Sequence, residues 1–138
     1  MIDSLEAIIQ YLLADTDLGN LVGTRVAAKH RYGESWTVGD AGIMVRLDGG
    51  SPEIFVPVQQ PRLEIRIYGD GTTAVTSVFF QLVTISRNTD REVVTLTGDD
   101  ALMYWFLPIS GLSMLFDEEV GMDMGMVFFE ACVGEIGL

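Results

Sequence analysis

Arg62-Leu63-Glu64-Ile65-Arg66-Ile67-Tyr68, followed by Gly69-Asp70-Gly71-Thr72-Thr73-Ala74, is the stretch that decides the fold. Polar and apolar residues alternate strictly through the first seven positions. That period places Leu63, Ile65 and Ile67 on one face of a half-buried strand. Gly69, Asp70 and Gly71 supply a turn, and Thr72 or Thr73 offers a hydroxyl to cap the helix that follows. Val75, Val78, Phe79, Leu82 and Val83 then recur at helical spacing, which predicts a helix from Thr72 to Ser86 with one apolar side. A strand turning directly into an amphipathic helix, with charged residues on the strand's second face, belongs to a sheet covered by helices on one side.

Outward from this unit, the N-terminal segment repeats the helical pattern. Leu5, Ile8, Ile9, Leu12 and Leu13 form a stripe from Asp3 to Ala14, and Asp3 with Glu6 resembles a capping box. A short helical turn follows: Asp15 to Asp17 cap it, Leu18, Leu21 and Val22 line it, and Gly23 ends it. Further strands are expected at Arg25–Lys29, Ile43–Leu47, Glu92–Leu96, Ala101–Ile109 and Met124–Val133, with Ser113–Phe116 pairing beside Ala101–Ile109. His30–Asp40 reads as a long loop with Trp36 exposed. Ser51–Pro61, with three prolines around Ile54, Phe55 and Val56, reads as an edge segment at best. The expected fold is a single α+β domain over residues 1–138: an antiparallel sheet of four to six strands with two helices packed on one face.

Composition narrows the function classes. The chain has 138 residues, enough for one core, and 49% of them are hydrophobic. That fraction is high for a small domain and points to apolar surface buried against partner subunits. The longest apolar run, Ala101 to Leu107, is too short to cross a membrane, and Asp3 and Glu6 stand where a signal peptide would be basic. Net charge is −12, divided as −3 over residues 1–69 and −9 over residues 70–138; no basic residue follows Arg91. Such a surface disfavours gripping nucleic acid, and reads either as plain solubility or as a wall that DNA passes without sticking. The basic residues Arg25, Lys29, Arg31, Arg46, Arg62 and Arg66 all lie in the first half. They pair either within the chain or with the acidic half of a neighbouring copy.

No chemistry-bearing constellation emerges, so no catalytic residue, cofactor or metal is assigned. Gly69 to Ala74 satisfies G-x-G-x-x-A between strand and helix, which leaves a small nucleotide-binding enzyme as an alternative of another class. The alternating charges of the preceding strand argue against a doubly wound sheet. His30, the single histidine, sits between Lys29 and Arg31 as a solvated loop residue. Cys132, the single cysteine, reads as a small buried hydrophobe and allows no internal disulfide. Asp117, Glu118, Glu119 and Asp123 lack calcium-loop spacing and form an acidic turn. Met122, Met124 and Met126 alternate along a strand, as core packing or as an adaptable subunit contact.

The element order resembles the tail-completion, or tail-terminator (minor tail protein U-like), family of long-tailed bacteriophages. The residues that carry the resemblance are the helix Leu5–Leu13, then Leu18-x-x-Leu21-x-Gly23-x-Arg25-Val26. They continue with the strand Arg62–Tyr68 running into the helix Thr72–Ser86, and a hydrophobic strand near the C-terminus. Gly42-Ile43 departs from the proline and aromatic found in the family before its second strand, and the 51–61 and 95–100 segments are individual. The resemblance implies a non-enzymatic virion protein, assembled in the host cytoplasm, that forms a hexameric ring. The ring caps the tail tube protein, stops its polymerisation and docks the head-tail connector or stopper protein, while DNA passes through the lumen. A head-completion, stopper or other neck connector is the near alternative. Trp36, Ile54, Phe55, Val56, Met122 and Met124 are the expected subunit or tube contacts. Asp117, Glu118, Glu119 and Asp123 are the expected lumen-facing acids.

Overall fold

The computed structural model describes residues 3–28, 32–52 and 58–136. It shows an α+β fold in which three helices cover one face of a curled, mixed seven-stranded sheet. Helix α1, Ser4–Leu13, starts where the Asp3 carboxylate accepts hydrogen bonds from the Leu5 and Glu6 amides, both at 3.1 Å. Helix α2, Thr16–Val22, starts under the Asp15 carboxylate, which accepts from the Leu18 amide at 2.9 Å. Both caps satisfy amides that the first helical turn leaves unpaired. Helix α3, Thr72–Asn88, differs from expectation. Its N-cap is Gly71, no side chain caps it, and the Thr76 hydroxyl donates to the Thr72 carbonyl instead.

The strands are β1 (Val26–Ala27), β2 (Gly42–Pro52), β3 (Val58–Gly69), β4 (Glu92–Thr95), β5 (Asp100–Pro108), β6 (Ser113–Asp117) and β7 (Met122–Glu135). Their order is β1-β2-β3-β7-β5-β4, and β1 runs parallel to β2 while the other pairs are antiparallel. Two expectations are corrected here. Strand β6 pairs with β7, not with β5. The 51–61 stretch holds the ends of two sheet strands, with Ser51 opposite Gln60 and Gly50 opposite Pro61. Pro61 is tolerated because the ladder shifts register between Leu47 and Gly50. Gly50 has a φ of +108° there, a conformation that L side chains rarely adopt.

Strand β7 is the spine of the sheet. One side of it pairs with β3 along nearly its whole length. The other side is shared: Phe129 to Glu135 pair with β5, and Met122 to Met126 pair with β6. The helix face of the sheet is the main core. Ile43, Val45, Leu63, Ile65, Ile67, Val127 and Phe129 pack there against Ile8, Leu12, Leu18, Val75, Val78 and Leu82. Phe106 and Phe129 stack within it at 4.5 Å between ring centroids.

Candidate subunit interface

The sheet face away from the helices divides into two zones. Over one end, Tyr32 and Trp36 from the 32–40 loop cover Met44, Tyr68, Met122 and Met124, forming a second, smaller core. Tyr32 meets Trp36 edge-on at 5.1 Å and Tyr68 at 5.3 Å, the geometry aromatic quadrupoles favour. The Tyr32 hydroxyl donates to the Thr37 and Asp40 carbonyls and so ties the loop to itself. Trp36 is therefore not presented outward as the sequence suggested. Its ring lies flat against Gly33 and Gly42, so close that a Cβ at either position would sit within 2.7 Å of it. Met122 and Met124 are only 3% and 7% exposed, which fits the packing reading of the methionines. Their side chains are sealed under the chain's own loop. Ile54, Phe55 and Val56 lie outside the described residues, as does His30.

The second zone is open and carries charge. Glu64 accepts from Arg66 Nε at 2.6 Å and faces Arg46 Nη1 at 3.9 Å. Arg62 reaches Asp48 at 3.1 Å and lies 4.8 Å above the Phe128 ring. Of the basic residues in the first half of the chain, Arg46, Arg62 and Arg66 are thus paired internally, with Arg46 held most loosely. Beyond Phe128, Cys132 lies beside Trp105 in the β5–β7 ladder at the edge of a shallow depression that Val58, Arg91 and Tyr104 also line. Burial, and after it the Glu130 carboxylate, pushes the Cys132 thiol up, so the residue stays a protonated hydrophobe.

The four expected acids occupy one hairpin but in different roles. Asp117 is structural: its carboxylate accepts from the Glu119 and Val120 amides and from the Tyr68 hydroxyl at 3.0 Å. Glu118 and Glu119 are exposed at the tip, and Asp123 is half-buried opposite Phe116 in the ladder. Tyr68 is fully buried; burial first, then the Asp117 carboxylate, raises its phenol to about 12 against the opposing influence of Arg66. No cluster of three metal-ligating side chains exists among the described residues, and no helix there is long and apolar enough to cross a membrane. The Gly69–Ala74 turn joins a strand with antiparallel neighbours on both sides to α3, which is not the parallel setting of a dinucleotide site.

Among the described residues, strand β6 holds three consecutive exposed apolar side chains, a feature absent from the site expected on sequence grounds. Met114, Leu115 and Phe116 are 41%, 46% and 59% exposed. They are consecutive, so they alternate between the two faces of the sheet: Met114 and Phe116 on the helix side, Leu115 on the side of Met124. The signal was present in the sequence, since a strand with apolar residues on both faces needs cover on both faces. At the sheet edge, that cover is missing among the described residues.

The chain matches no known family profile and no curated protein. Among solved structures it is similar to a chain of the "Virion of native gene transfer agent (GTA) particle". The TM-score is 0.57 at 19% sequence identity, and the match covers 93% of this chain and 92% of that one. A likeness at this identity is a likeness of fold.

Proposed function

We propose that this chain is a structural virion protein of a phage-like particle, and that it acts as a ring-forming tail terminator. In this role it caps the tail tube, stops its polymerisation and joins it to the neck. The observation that carries the reading is the end-to-end correspondence of fold with a chain that is itself part of a virion. The unpaired apolar strand β6 supports the self-assembling part of it, because exposed strands of this kind in stable proteins are covered by another chain. The sequence resemblance in element order supports the terminator role over a head-completion or stopper role. In a ring, the acidic second half would let DNA pass through the lumen without adhering. The test is incubation of the purified protein with short and growing tail tubes. A terminator binds one end of each tube and halts its elongation; a chain that leaves elongation unchanged is not one.

A further inference from the structure

At the Met122–Met126 end of the spine the sheet is five strands wide, in the order β1-β2-β3-β7-β6, so β6 and the β1–β2 strands are opposite edges of the same sheet. Strand β6 leaves its outer side unpaired among the described residues. On the far edge, β1 pairs with Ile43 and Met44, and among the described residues no strand pairs with the outer side of β2 from Val45 onward. Both edges carry apolar side chains in water: Met114, Leu115 and Phe116 on one, Leu47 on the other. Strand β6 has no lysine, proline or bulge of the kind that guards a sheet edge against pairing.

The charges of the two edges are opposite in kind. The β6–β7 hairpin ends in Asp117, Glu118 and Glu119, and no base follows Arg91 anywhere in the chain. The β1–β2 edge holds Arg25, whose Nε donates to the Ala41 carbonyl, and Arg46, loosely paired at 3.9 Å, while its one acid, Asp48, is already paired with Arg62 at 3.1 Å. We infer that the β6 edge and acidic hairpin of one copy dock on the β1–β2 edge of a second copy of this chain. The occupant is a second copy because the complementary edge, apolar and basic, is on this same molecule. An interface between two different patches of identical chains is head-to-tail, so repetition with a fixed rotation closes a ring or extends a fibre. This deepens the ring reading above and rests on it. Pairing of two β6 strands across a two-fold axis would cover the same edge but stop at a dimer.

Charge exchange tests the pairing. Phe116→Lys, an exposed position, should leave the thermal melt within a few degrees of wild type and abolish ring formation at concentrations at least tenfold above those at which wild type assembles. Glu118→Arg/Glu119→Arg alone and Arg46→Glu alone should each remain single chains. Mixed in equal amounts, these two variants should restore rings of wild-type size containing equal numbers of each, since every contact then joins opposite charges. Should Arg46→Glu unfold, Leu47→Lys probes the same edge by the same readout. Rings persisting in Phe116→Lys and in both charge variants overturn this surface while leaving the ring reading intact. A mixture that yields only two-chain particles overturns the head-to-tail arrangement. A wild-type chain that stays single throughout overturns the ring reading itself.

Discussion

Tyr68 joins the two halves of the account, since it is buried in the small core and donates to the carboxylate that shapes the acidic hairpin. Its raised phenol makes stability depend on pH in one direction. Below pH 10 the folded and unfolded chains both hold the proton, and the full stability is present. Between pH 10 and about 12 the unfolded phenol ionises while the folded one does not, so stability falls as pH rises. Tyr11 and Tyr32 are also raised, chiefly by burial, and add to the same slope. Tyr68→Phe should therefore flatten the loss of stability above pH 10 without removing it, and should cost about 1 kcal/mol at pH 7 through the missing hydrogen bond. Urea unfolding at pH 7, 10 and 11.5 measures both effects. Trp36→Ala removes the lid of the same small core. It should cost about 3 kcal/mol, toward the lower end of the range for large aromatic deletions because the ring is only partly buried. Denaturant melts followed by tryptophan fluorescence would show it.

Among the elements, α2 depends most on a single side chain. Asp15 caps its N-terminus and also accepts from Gln81 Nε2 of α3 at 3.0 Å, so one carboxylate holds two helices in register. Asp15→Ala should cost about 1–2 kcal/mol, and Asp15→Asn much less, as read from thermal unfolding. The elements with strong local patterns were legible from sequence for the same reason. The Asp3 and Asp15 caps and the 63/65/67 alternation recur in the structure with the same residues, and of the Leu5–Leu13 stripe Ile8 and Leu12 are buried while Leu5, Ile9 and Leu13 are half-buried against the core. The misreadings came from partners distant in the chain. Strand β6 was assigned to β5 because the two are sequential, whereas the long β7 has room for both strands along one side. Nothing local in sequence covers Trp36; Gly33 and Gly42 admit its ring, and that is a tertiary fact. The Gly71 start of α3 escaped because two threonines beside it looked like better caps. Met122 and Met124 are covered by the 32–40 loop, which the pattern could not show, because alternation identifies a strand face and not what covers it.

At the scale of the whole molecule, a small fold closes two cores and, among the described residues, still leaves β6, the β2 edge and the acidic hairpin facing water. The apolar side chains on these edges are about half exposed, so covering each one adds about 1 kcal/mol, and their joint cover by a neighbour is a real driving force. Net charge of −12 opposes that association at low salt. Moderate salt should therefore strengthen assembly by screening general repulsion, and very high salt should weaken it again as the hairpin-to-arginine attraction is lost. Sedimentation velocity across a salt series would show a maximum in the assembled fraction at intermediate ionic strength. The central claim is that identical copies satisfy these edges in a closed circle. Native mass spectrometry of the purified wild-type chain, paired with class averages from negative-stain images, tests it most directly. One dominant species of about six copies with an open centre is expected; a solitary chain of 15.2 kDa, alone and in the presence of tail tubes, would refute the closed circle.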